Sequence, residues 1–264
     1  MFKLIKAPIC LLVCLALITG MTPVSATSPP HPESTSSEQS VATEAKPMTL
    51  GELRRKYSET FKFNGPEVKQ VALTFDDVPD PRFTPQVLDI LKKHGVKATF
   101  FVVGGRAKKH PELLRRIHRE GHIIGNHSYS HPLFKKKSAL EFKNEIERTE
   151  KVIEKLIGYK PRLIRPPYGE INEEQLKWAK KQGYKIINWN VDSLDWKALD
   201  KDKVKHNVLS AVGPGAIVLQ HAGGGIGSNL TGTIEALPDI IRILRNRGYR
   251  FVTITDLLHY QKSL

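Results

Sequence analysis

The sequence has only two cysteines, Cys10 and Cys14, and both lie near the amino terminus within a short apolar run. A chain cleaved after that run would have no thiol left to pair or to react, which excludes a disulfide framework and cysteine chemistry. Aromatic residues are also sparse, at 8% of the chain. They are not interleaved with basic residues as a single-strand binder requires, so we expect no nucleic-acid partner.

Acidic residues are too few to balance the basic ones. The chain has 41 Lys and Arg against 27 Asp and Glu, a formal net charge of +14. Such a charge favours adhesion to polyanions, and for an exported protein the expected ones are anionic cell-wall polymers or lipid head groups. The alternative is that many of the lysines only solvate helix faces.

The amino terminus lacks the long apolar run of a membrane-spanning helix, which needs about 20 residues. Its apolar run, from about residue 9 to residue 18, follows two lysines and precedes the small-residue site Val24-Ser25-Ala26. This order predicts a secretory signal peptide over residues 1–26, with an uncleaved membrane anchor as the alternative. We therefore expect a secreted or cell-wall protein with no membrane span in its mature form.

Large apolar side chains are scarce between residues 27 and 47, where Ser, Thr, Pro, Glu and Ala dominate. A segment of this composition cannot bury a core, so a disordered spacer is expected there. Residues 48–68 are interpreted as a lead-in segment, and residues 69–264 as the folded domain.

From about residue 69, short β-branched or aromatic runs alternate with amphipathic helical segments. This alternation predicts an α/β fold built on about seven parallel strands. Two forms of the sheet are considered: an open, doubly wound sheet and a closed barrel. Polar residues recur at the carboxyl ends of the strands, where a (β/α) barrel builds its active site, and this favours the barrel. The seven predicted strands are VALTF, ATFFVV, HIIGN, RLIRP, KIINWNV, AIVLQH and RFVTIT.

Two adjacent carboxylates, Asp76 and Asp77, follow the first of these strands. Neighbouring residues at a strand end need not point the same way, so one could bind a cation while the other acts as a base. Considered alone, the segment Asp76–Asp80 is better explained by a solvated turn, because Asp and Pro are common turn formers.

Two histidines four residues apart, His127 and His131, follow the strand HIIGN. In a helical turn both imidazoles would face one point, and imidazole is a common ligand of zinc and related ions. With Asp77 they would form a two-histidine, one-carboxylate set for a divalent metal. Zinc is favoured, and cobalt, nickel and manganese are the alternatives. Because the chain has ten histidines, a chance pair is the competing explanation.

Three more polar segments follow strands. In Arg165–Gly169, two prolines fix a backbone that could hold the arginine against a carboxylate, or that could form a stiff surface loop. Asp195 follows KIINWNV, and His221 ends AIVLQH. An aspartate that hydrogen-bonds a histidine fixes its tautomer and raises its pKa, so this pair would provide a general acid.

Taken in order, TFDD, HSYSH, RPPY, DSLDW and LQH resemble the motif set of the polysaccharide deacetylases, carbohydrate esterase family 4. The resemblance extends from about residue 69 to residue 258 and implies a distorted, incomplete (β/α) barrel. It also implies a metal-dependent N-deacetylase that acts on N-acetylated amino sugars of peptidoglycan or chitin-like glycans. Residues 69–264 would then be its catalytic domain.

The resemblance implies a role for each matching residue. Asp76 would be the general base, steadied by Arg165, and His221 would be the general acid, oriented by Asp195. The metal ligands would be Asp77, His127 and His131. Among the substrate-binding residues, Trp196 and Leu219 would line the groove, and the backbone N–H of Tyr168 would donate a hydrogen bond to the tetrahedral intermediate.

The chain departs from the family pattern at Val78, where the family usually has glycine. A β-branched residue resists backbone angles that glycine permits, so the loop beside Asp77 is expected to differ. Every presumed ligand and catalytic residue is nevertheless present. Two other functions stay open: an esterase that removes O-acetyl groups with the same residues, and a non-catalytic module that binds the cell wall.

Overall fold

The computed structural model of this protein describes residues 46–264. The predicted signal peptide, both cysteines and residues 27–45 of the predicted spacer lie outside the described residues. Within residues 46–264, no helix combines the length and the apolar character that crossing a membrane requires.

Nine strands within this range pair in parallel to form one curled sheet. The strands are β1 (Phe61–Lys62), β2 (Gln70–Val78), β3 (Thr99–Val102), β4 (Ile123–Asn126), β5 (Leu163–Ile164), β6 (Lys185–Ile187), β7 (Val191–Asp192), β8 (Ala216–His221) and β9 (Arg250–Phe251). Their order across the sheet is β1-β6-β5-β4-β3-β2-β8-β7, and β9 pairs with β2. The sheet is an incomplete barrel, because its end strands β1 and β7 do not pair with each other.

The predicted α/β fold with an incomplete (β/α) barrel is confirmed, but the number of strands is higher than seven. The predicted strand KIINWNV forms two strands, β6 and β7, because Asn188–Asn190 interrupt the ladder between them. The other additional strand, β1, lies in the lead-in segment and pairs with β6 through Phe61 and Ile186.

Helices connect the strands and cover the sheet. They are α1 (Leu50–Lys56), α2 (Thr84–Lys93), α3 (Gly104–Lys109), α4 (Pro111–Arg119), α5 (Ala139–Ile157), α6 (Glu173–Lys181), α7 (Lys201–Ala211), α8 (Thr231–Asn246) and α9 (Ile254–Leu258). The longest, α5, shows how the sequence sets their ends. Ser138 and Glu141 cap its first turn reciprocally, and Gly158 ends it at a φ of 83°, a conformation that glycine adopts without steric cost.

The alternation of side chains along β2 positions the functional residues. Leu73 and Phe75 face outward into the main core with apolar residues of α2 and α8. Ala72 faces inward, in a smaller core that α9 closes. Because side chains alternate along a strand, Thr74 and Asp76 share this inner face with Ala72. The inner face is therefore apolar at its amino end and polar at its carboxyl end.

Candidate active site

A cleft with a volume of about 660 Å³, here called the main cleft, opens at the carboxyl ends of the strands. Eight of the ten side chains predicted from the sequence line it. The other two, Arg165 and Asp195, are buried beside the cleft and contact residues that line it. The eight lining residues are Asp76, Asp77, His127, His131, Tyr168, Trp196, Leu219 and His221.

One wall of the main cleft brings Asp77, His127 and His131 together. One ligand atom from each lies within 4.8 Å of the others. Oδ1 of Asp77 is 3.2 Å from Nε2 of His131 and 3.8 Å from Nε2 of His127. This oxygen is buried and has no hydrogen-bond partner among residues 46–264, a costly state that a cation would relieve. The donor set therefore fits a divalent metal.

The environment of His127 keeps its ring neutral and oriented. Burial, together with the nearby His131, lowers the pKa of His127 to about 3. Nδ1 lies 2.8 Å from the carbonyl oxygen of Arg165, so it carries the proton and donates to that carbonyl. Nε2 is then left with a free lone pair on the side of Asp77. A ring held in this way is typical of histidines that bind metals.

The two histidines converge through a loop and not through a helical turn. Residues 127–131 have no helical structure, and Ser128 and His131 have φ angles of 66° and 60°. Glu145 holds the loop by accepting the backbone N–H groups of Tyr129 and Ser130 at 2.9 and 2.7 Å. The helical turn considered from the sequence is therefore wrong, although the imidazole rings still lie 5.0 Å apart.

The loop beside Asp77, which is expected to differ from the family because of Val78, has an unusual backbone angle, but not at the valine itself. Val78 is the fully buried last residue of β2 and pairs with Val102 across an irregular register. The left-handed conformation falls instead on Asp77, whose φ is 65°, and Asp tolerates this region better than a β-branched residue. Gly223 packs so closely that a Cβ there would overlap the Asp77 carbonyl group.

Asp76 is held by Arg165 on the inner face of the sheet. Nη1 of Arg165 donates to Oδ1 of Asp76 at 2.8 Å, while Oδ2 of Asp76 lies 3.7 Å from Nε2 of His127. Burial raises the pKa of Asp76, and the charge and hydrogen bond of Arg165 oppose that rise without cancelling it. The expected pairing is present, but burial has the larger effect. A raised pKa makes this carboxylate a stronger proton acceptor.

Arg165 is itself fixed by the surrounding backbone and by two side chains. It is fully buried and donates to the carbonyl oxygens of Ile187 and Asn188 at 3.0 and 3.3 Å. Thr74 accepts from it at 2.7 Å, and its guanidinium lies 4.1 Å from the centre of the Phe101 ring. These contacts satisfy a buried cation that would otherwise be costly.

The opposite wall carries His221, hydrogen-bonded to Asp195. Nδ1 of His221 lies 2.7 Å from Oδ1 of Asp195, and the backbone N–H of His221 donates to Oδ2 at 2.8 Å. Burial lowers the pKa of His221, but Asp195 opposes this strongly and, with Asp76 and Asp77, raises it to about 9. The ring is therefore protonated at neutral pH, as a general acid must be.

Thr233, in the first turn of α8, is a member of this wall that the sequence did not reveal. Its hydroxyl donates to Oδ2 of Asp195 at 2.7 Å, and the side chain is fully buried. No motif surrounds it, and it lies 38 residues from Asp195 in the chain. Its role becomes apparent only when α8 packs behind the carboxylate.

The predicted substrate-binding residues lie at the mouth and at the floor of the main cleft. Tyr168 and Trp196 expose 64% and 56% of their surface, which is unusual for large aromatic side chains. Leu219 is almost fully buried at the floor. The Tyr168 ring lies edge-on to His131, with ring centres 4.9 Å apart. Exposed aromatic rings above an apolar floor suit a ligand that has both apolar faces and polar edges.

The sequence also matches known proteins. The family model for polysaccharide deacetylase matches residues 64–187. The peptidoglycan-N-acetylglucosamine deacetylase of Bacillus cereus is 49% identical over 77% of this chain and 74% of its own length. The peptidoglycan-N-acetylmuramic acid deacetylase PdaC of Bacillus subtilis is 41% identical over 75% of this chain and 40% of its own length.

Solved structures are similar as well. A peptidoglycan N-acetylglucosamine deacetylase in complex with 4-naphthalen-1-yl-N-oxidanyl-benzamide aligns with a TM-score of 0.77 at 46% identity, over 80% of this chain and 99% of its own. A CE4 family pseudoenzyme from Bacillus anthracis aligns with a TM-score of 0.70 at 35% identity, over 75% of this chain and 68% of its own. Similarity of fold alone therefore does not show whether a protein is an active deacetylase or an inactive relative, because activity depends on the site residues.

Proposed function

This chain belongs to the polysaccharide deacetylase family, carbohydrate esterase family 4, and from that premise we propose that it is a metal-dependent N-deacetylase of peptidoglycan. One observation carries the proposal: a candidate metal site, a carboxylate held by arginine and a protonated histidine held by aspartate all face the main cleft. Peptidoglycan is chosen because the relatives described above are named for N-acetylglucosamine or N-acetylmuramic acid of that polymer.

We assign the metal to Asp77, His127 and His131, whose donor atoms fit a divalent cation. When bound, the ion would lower the pKa of water and offset the negative charge that develops on the acetyl oxygen. Zinc suits two imidazoles and one carboxylate, and cobalt, nickel and manganese are accepted by similar sets. The neutral state of His127 at pH 7 supports this assignment.

Asp76 is proposed as the general base. Arg165 occupies its Oδ1, so Oδ2, on the side of His127, is the oxygen that accepts a proton from the attacking water. The raised pKa of Asp76 brings its proton affinity closer to that of the water it must deprotonate, which favours the transfer. Arg165 thus positions the base and limits how far burial raises its pKa.

His221 is proposed as the general acid. Asp195 holds Nδ1, so Nε2 is the atom that gives its proton to the leaving nitrogen. An amine leaves very poorly unless it is protonated, so this transfer is essential for amide hydrolysis. The pKa of about 9 supports a ring that is protonated before the reaction begins.

Substrate contacts are assigned to the groove residues. Leu219 would contact the acetyl methyl group, and Tyr168 and Trp196 would pack against sugar rings, which have apolar faces. The backbone N–H of Tyr168 would donate a hydrogen bond to the oxyanion of the tetrahedral intermediate. All three residues line the main cleft beside the metal ligands.

The competing function is a non-catalytic module that binds the cell wall. It is considered because one of the similar solved structures is a pseudoenzyme of this family. The completeness of the site favours the enzyme, because every predicted ligand, base, acid and orienting residue is present. Removal of O-acetyl groups by the same residues is the second alternative.

Further proposals concern the cellular setting. We propose that residues 1–26 direct export, with residues 27–47 as a spacer and residues 69–264 as the catalytic domain, and that the enzyme works at the cell wall. The excess of basic residues would hold it to anionic wall polymers. A glycan substrate and such polymers are the expected partners.

The proposed function is tested by incubating the purified full chain with peptidoglycan digests, with and without zinc, cobalt, nickel or manganese. We expect acetate release that requires a metal. Mass spectrometry should show muropeptides that have lost the mass of one acetyl group and should identify the sugar that lost it. If no N-acetylated glycan releases acetate under any of these conditions, the proposal is wrong.

A further inference from the structure

A second cleft of about 520 Å³, here called the side cleft, adjoins the main cleft. The two clefts share Arg106, Gly224 and Gly225 as lining residues. Because the two clefts adjoin at these residues, a group bound in the side cleft can be part of the same molecule whose acetyl group lies in the main cleft.

The side cleft is strongly basic. Arg82, Arg106, Lys109 and His110 line it, and the carboxylate among its lining residues is Asp80. Even with a neutral histidine, three cations against one carboxylate leave two positive charges. A concave surface with such an excess attracts anions and orients them as they arrive.

Both carboxylate oxygens of Asp80 already accept hydrogen bonds, so Asp80 does not pair with the remaining basic groups of the side cleft. Its side chain is only 4% exposed. Oδ1 accepts from Nε of Arg82 at 3.0 Å, and Oδ2 accepts from Nη1 of Arg106 at 3.1 Å and from the N–H of Gly224 at 3.2 Å. Asp80 forms ion pairs with Arg82 and Arg106. Among residues 46–264, Lys109 has no acidic partner.

The same contacts make the side cleft rigid. Nη2 of Arg82 donates to the carbonyl oxygens of Gly224 and Gly225 at 2.8 and 3.0 Å. The glycine-rich loop is thus fastened to the end of β2, and Gly223 packs directly against the Asp77 backbone. A preformed wall loses little entropy when a ligand binds, so even exposed cations can favour an anionic ligand over a neutral one there.

We propose that the side cleft binds a carboxylate carried by the same glycan strand whose acetylated sugar lies in the main cleft. The inference rests on the proposed function and deepens it. In peptidoglycan such carboxylates belong to the lactyl and peptide groups on muramic acid, whereas chitin-like glycans have none. Lys109 and the free nitrogen atoms of Arg106 are the donors, because guanidinium and ammonium groups both pair well with carboxylates. The side cleft therefore makes the enzyme prefer carboxylate-bearing glycans to neutral ones.

Charge reversal at Lys109 tests this preference, and the chain offers a matched control. Lys108 precedes it on α3, is also exposed, and does not line the side cleft. The variants Lys109→Glu and Lys108→Glu therefore change the net charge equally. Each is assayed on a muramic-acid-containing glycan with free carboxylates and on a neutral N-acetylglucosamine oligomer of the same length.

We expect Lys109→Glu to lower the ratio of kcat/KM for the anionic glycan to that for the neutral one by about tenfold, mainly through KM. Lys108→Glu should leave this ratio unchanged. Raising the salt concentration should shrink the preference of the unmodified enzyme, since exposed charges are screened. Equal losses on both glycans, or equal effects of the two variants, would overturn the inference.

Equilibrium binding separates this inference from the proposed function. Calorimetry on the same two glycans measures the preference even when no acetate is released. If the unmodified enzyme turns over neither glycan but binds the anionic one more tightly through Lys109, the proposed function fails and the side cleft stands. If both glycans are deacetylated with no preference that depends on Lys109, the side cleft fails alone. Thermal unfolding of both variants checks that the fold is intact.

Discussion

The metal wall of the main cleft, formed by Asp77, His127 and His131, and its acid wall, formed by Asp195, His221 and Thr233, are held in different ways. In the acid wall, both carboxylate oxygens of Asp195 accept hydrogen bonds from the other two members. In the metal wall, Oδ1 of Asp77 is buried without a hydrogen-bond partner among residues 46–264. The acid wall therefore satisfies its own carboxylate, whereas in the metal wall the hydrogen bonds among residues 46–264 leave one carboxylate oxygen free.

The two walls also differ in the backbone φ angles of their members. Two members of the metal wall, Asp77 and His131, adopt left-handed φ angles of 65° and 60°. In the acid wall none of the three members does so, although Leu194 beside Asp195 has a φ of 54°. Such angles cost free energy, on the order of 1 kcal/mol or more each, and are typical of functional sites. The left-handed angles thus fall on the proposed ligands themselves in the metal wall, and on a neighbour of Asp195 in the acid wall.

The largest effect is expected from breaking the metal wall. Asp77→Ala should lower kcat/KM at least about a thousandfold and abolish metal binding, because several kcal/mol of transition-state stabilisation depend on the ion. Acetate release and elemental analysis measure the two effects. The control is Asp76→Asn, which should lose activity but keep its metal. Loss of metal in both variants would show that Asp76 is also a ligand, contrary to the roles proposed here.

Breaking the acid wall should have a smaller and more selective effect. His221→Ala should lower N-deacetylation by about a hundredfold to a thousandfold, since general acid catalysis contributes on this scale. Removal of an O-acetyl group should suffer much less, because an alkoxide leaves more easily than an amine. Rates on matched N-acetylated and O-acetylated sugars give the comparison, and bound metal should be unchanged. Equal losses on both substrates would contradict a role for His221 as the acid.

The smallest effect is expected at Thr233, which acts through Asp195. Thr233→Val should lower kcat about tenfold, or about 1.4 kcal/mol, because a hydrogen bond to a charged group is worth about 1.5–3 kcal/mol and His221 still holds Asp195 after the change. Thr233→Ser keeps the hydroxyl and should restore most of the rate.

A titration distinguishes positioning by Thr233 from simple packing. The Thr233 hydroxyl helps to lower the pKa of Asp195, so without it the carboxylate becomes more basic and holds the imidazolium more strongly. The pKa of His221 in the metal-free enzyme, followed by NMR, should then rise above its value of about 9. In Thr233→Ser it should stay near that value. An unchanged pKa in Thr233→Val would mean that the threonine only fills space.

The motifs predicted most of the main cleft because each one follows a strand. The carboxyl ends of parallel strands meet at one edge of the sheet, so Asp76, His127, Arg165 and His221 had to converge once the strands were recognised. The split of KIINWNV into β6 and β7 was not predictable from its apolar pattern. Asn188, which follows β6, donates its side-chain N–H to the Gly169 carbonyl of a neighbouring loop at 3.0 Å, a contact that the apolar pattern does not indicate.

Other features depended on contacts between residues distant in the chain. Val78 drew attention to the loop beside Asp77, but only the structure shows that the left-handed angle belongs to Asp77, within the stretch where the register of β2 against β3 shifts. The pairing of Asp76 with Arg165 was expected, but the rise in the pKa of Asp76, in which burial outweighs the arginine, was not. The burial of Asp76 depends on packing from several elements of the fold, so it could not be predicted from the residues next to it in the sequence.

The sequence by itself determined the family, the strand-and-helix order and the identity of the groups that meet in the main cleft. Those properties depend on local periodicity and on short motifs at strand ends. The tertiary structure alone decided how the groups are held: the orphaned oxygen of Asp77, the support of Asp195 by Thr233, and the basic side cleft beside Lys109. Each of these joins segments far apart in the chain, and their distances and burial exist only after the sheet has curled.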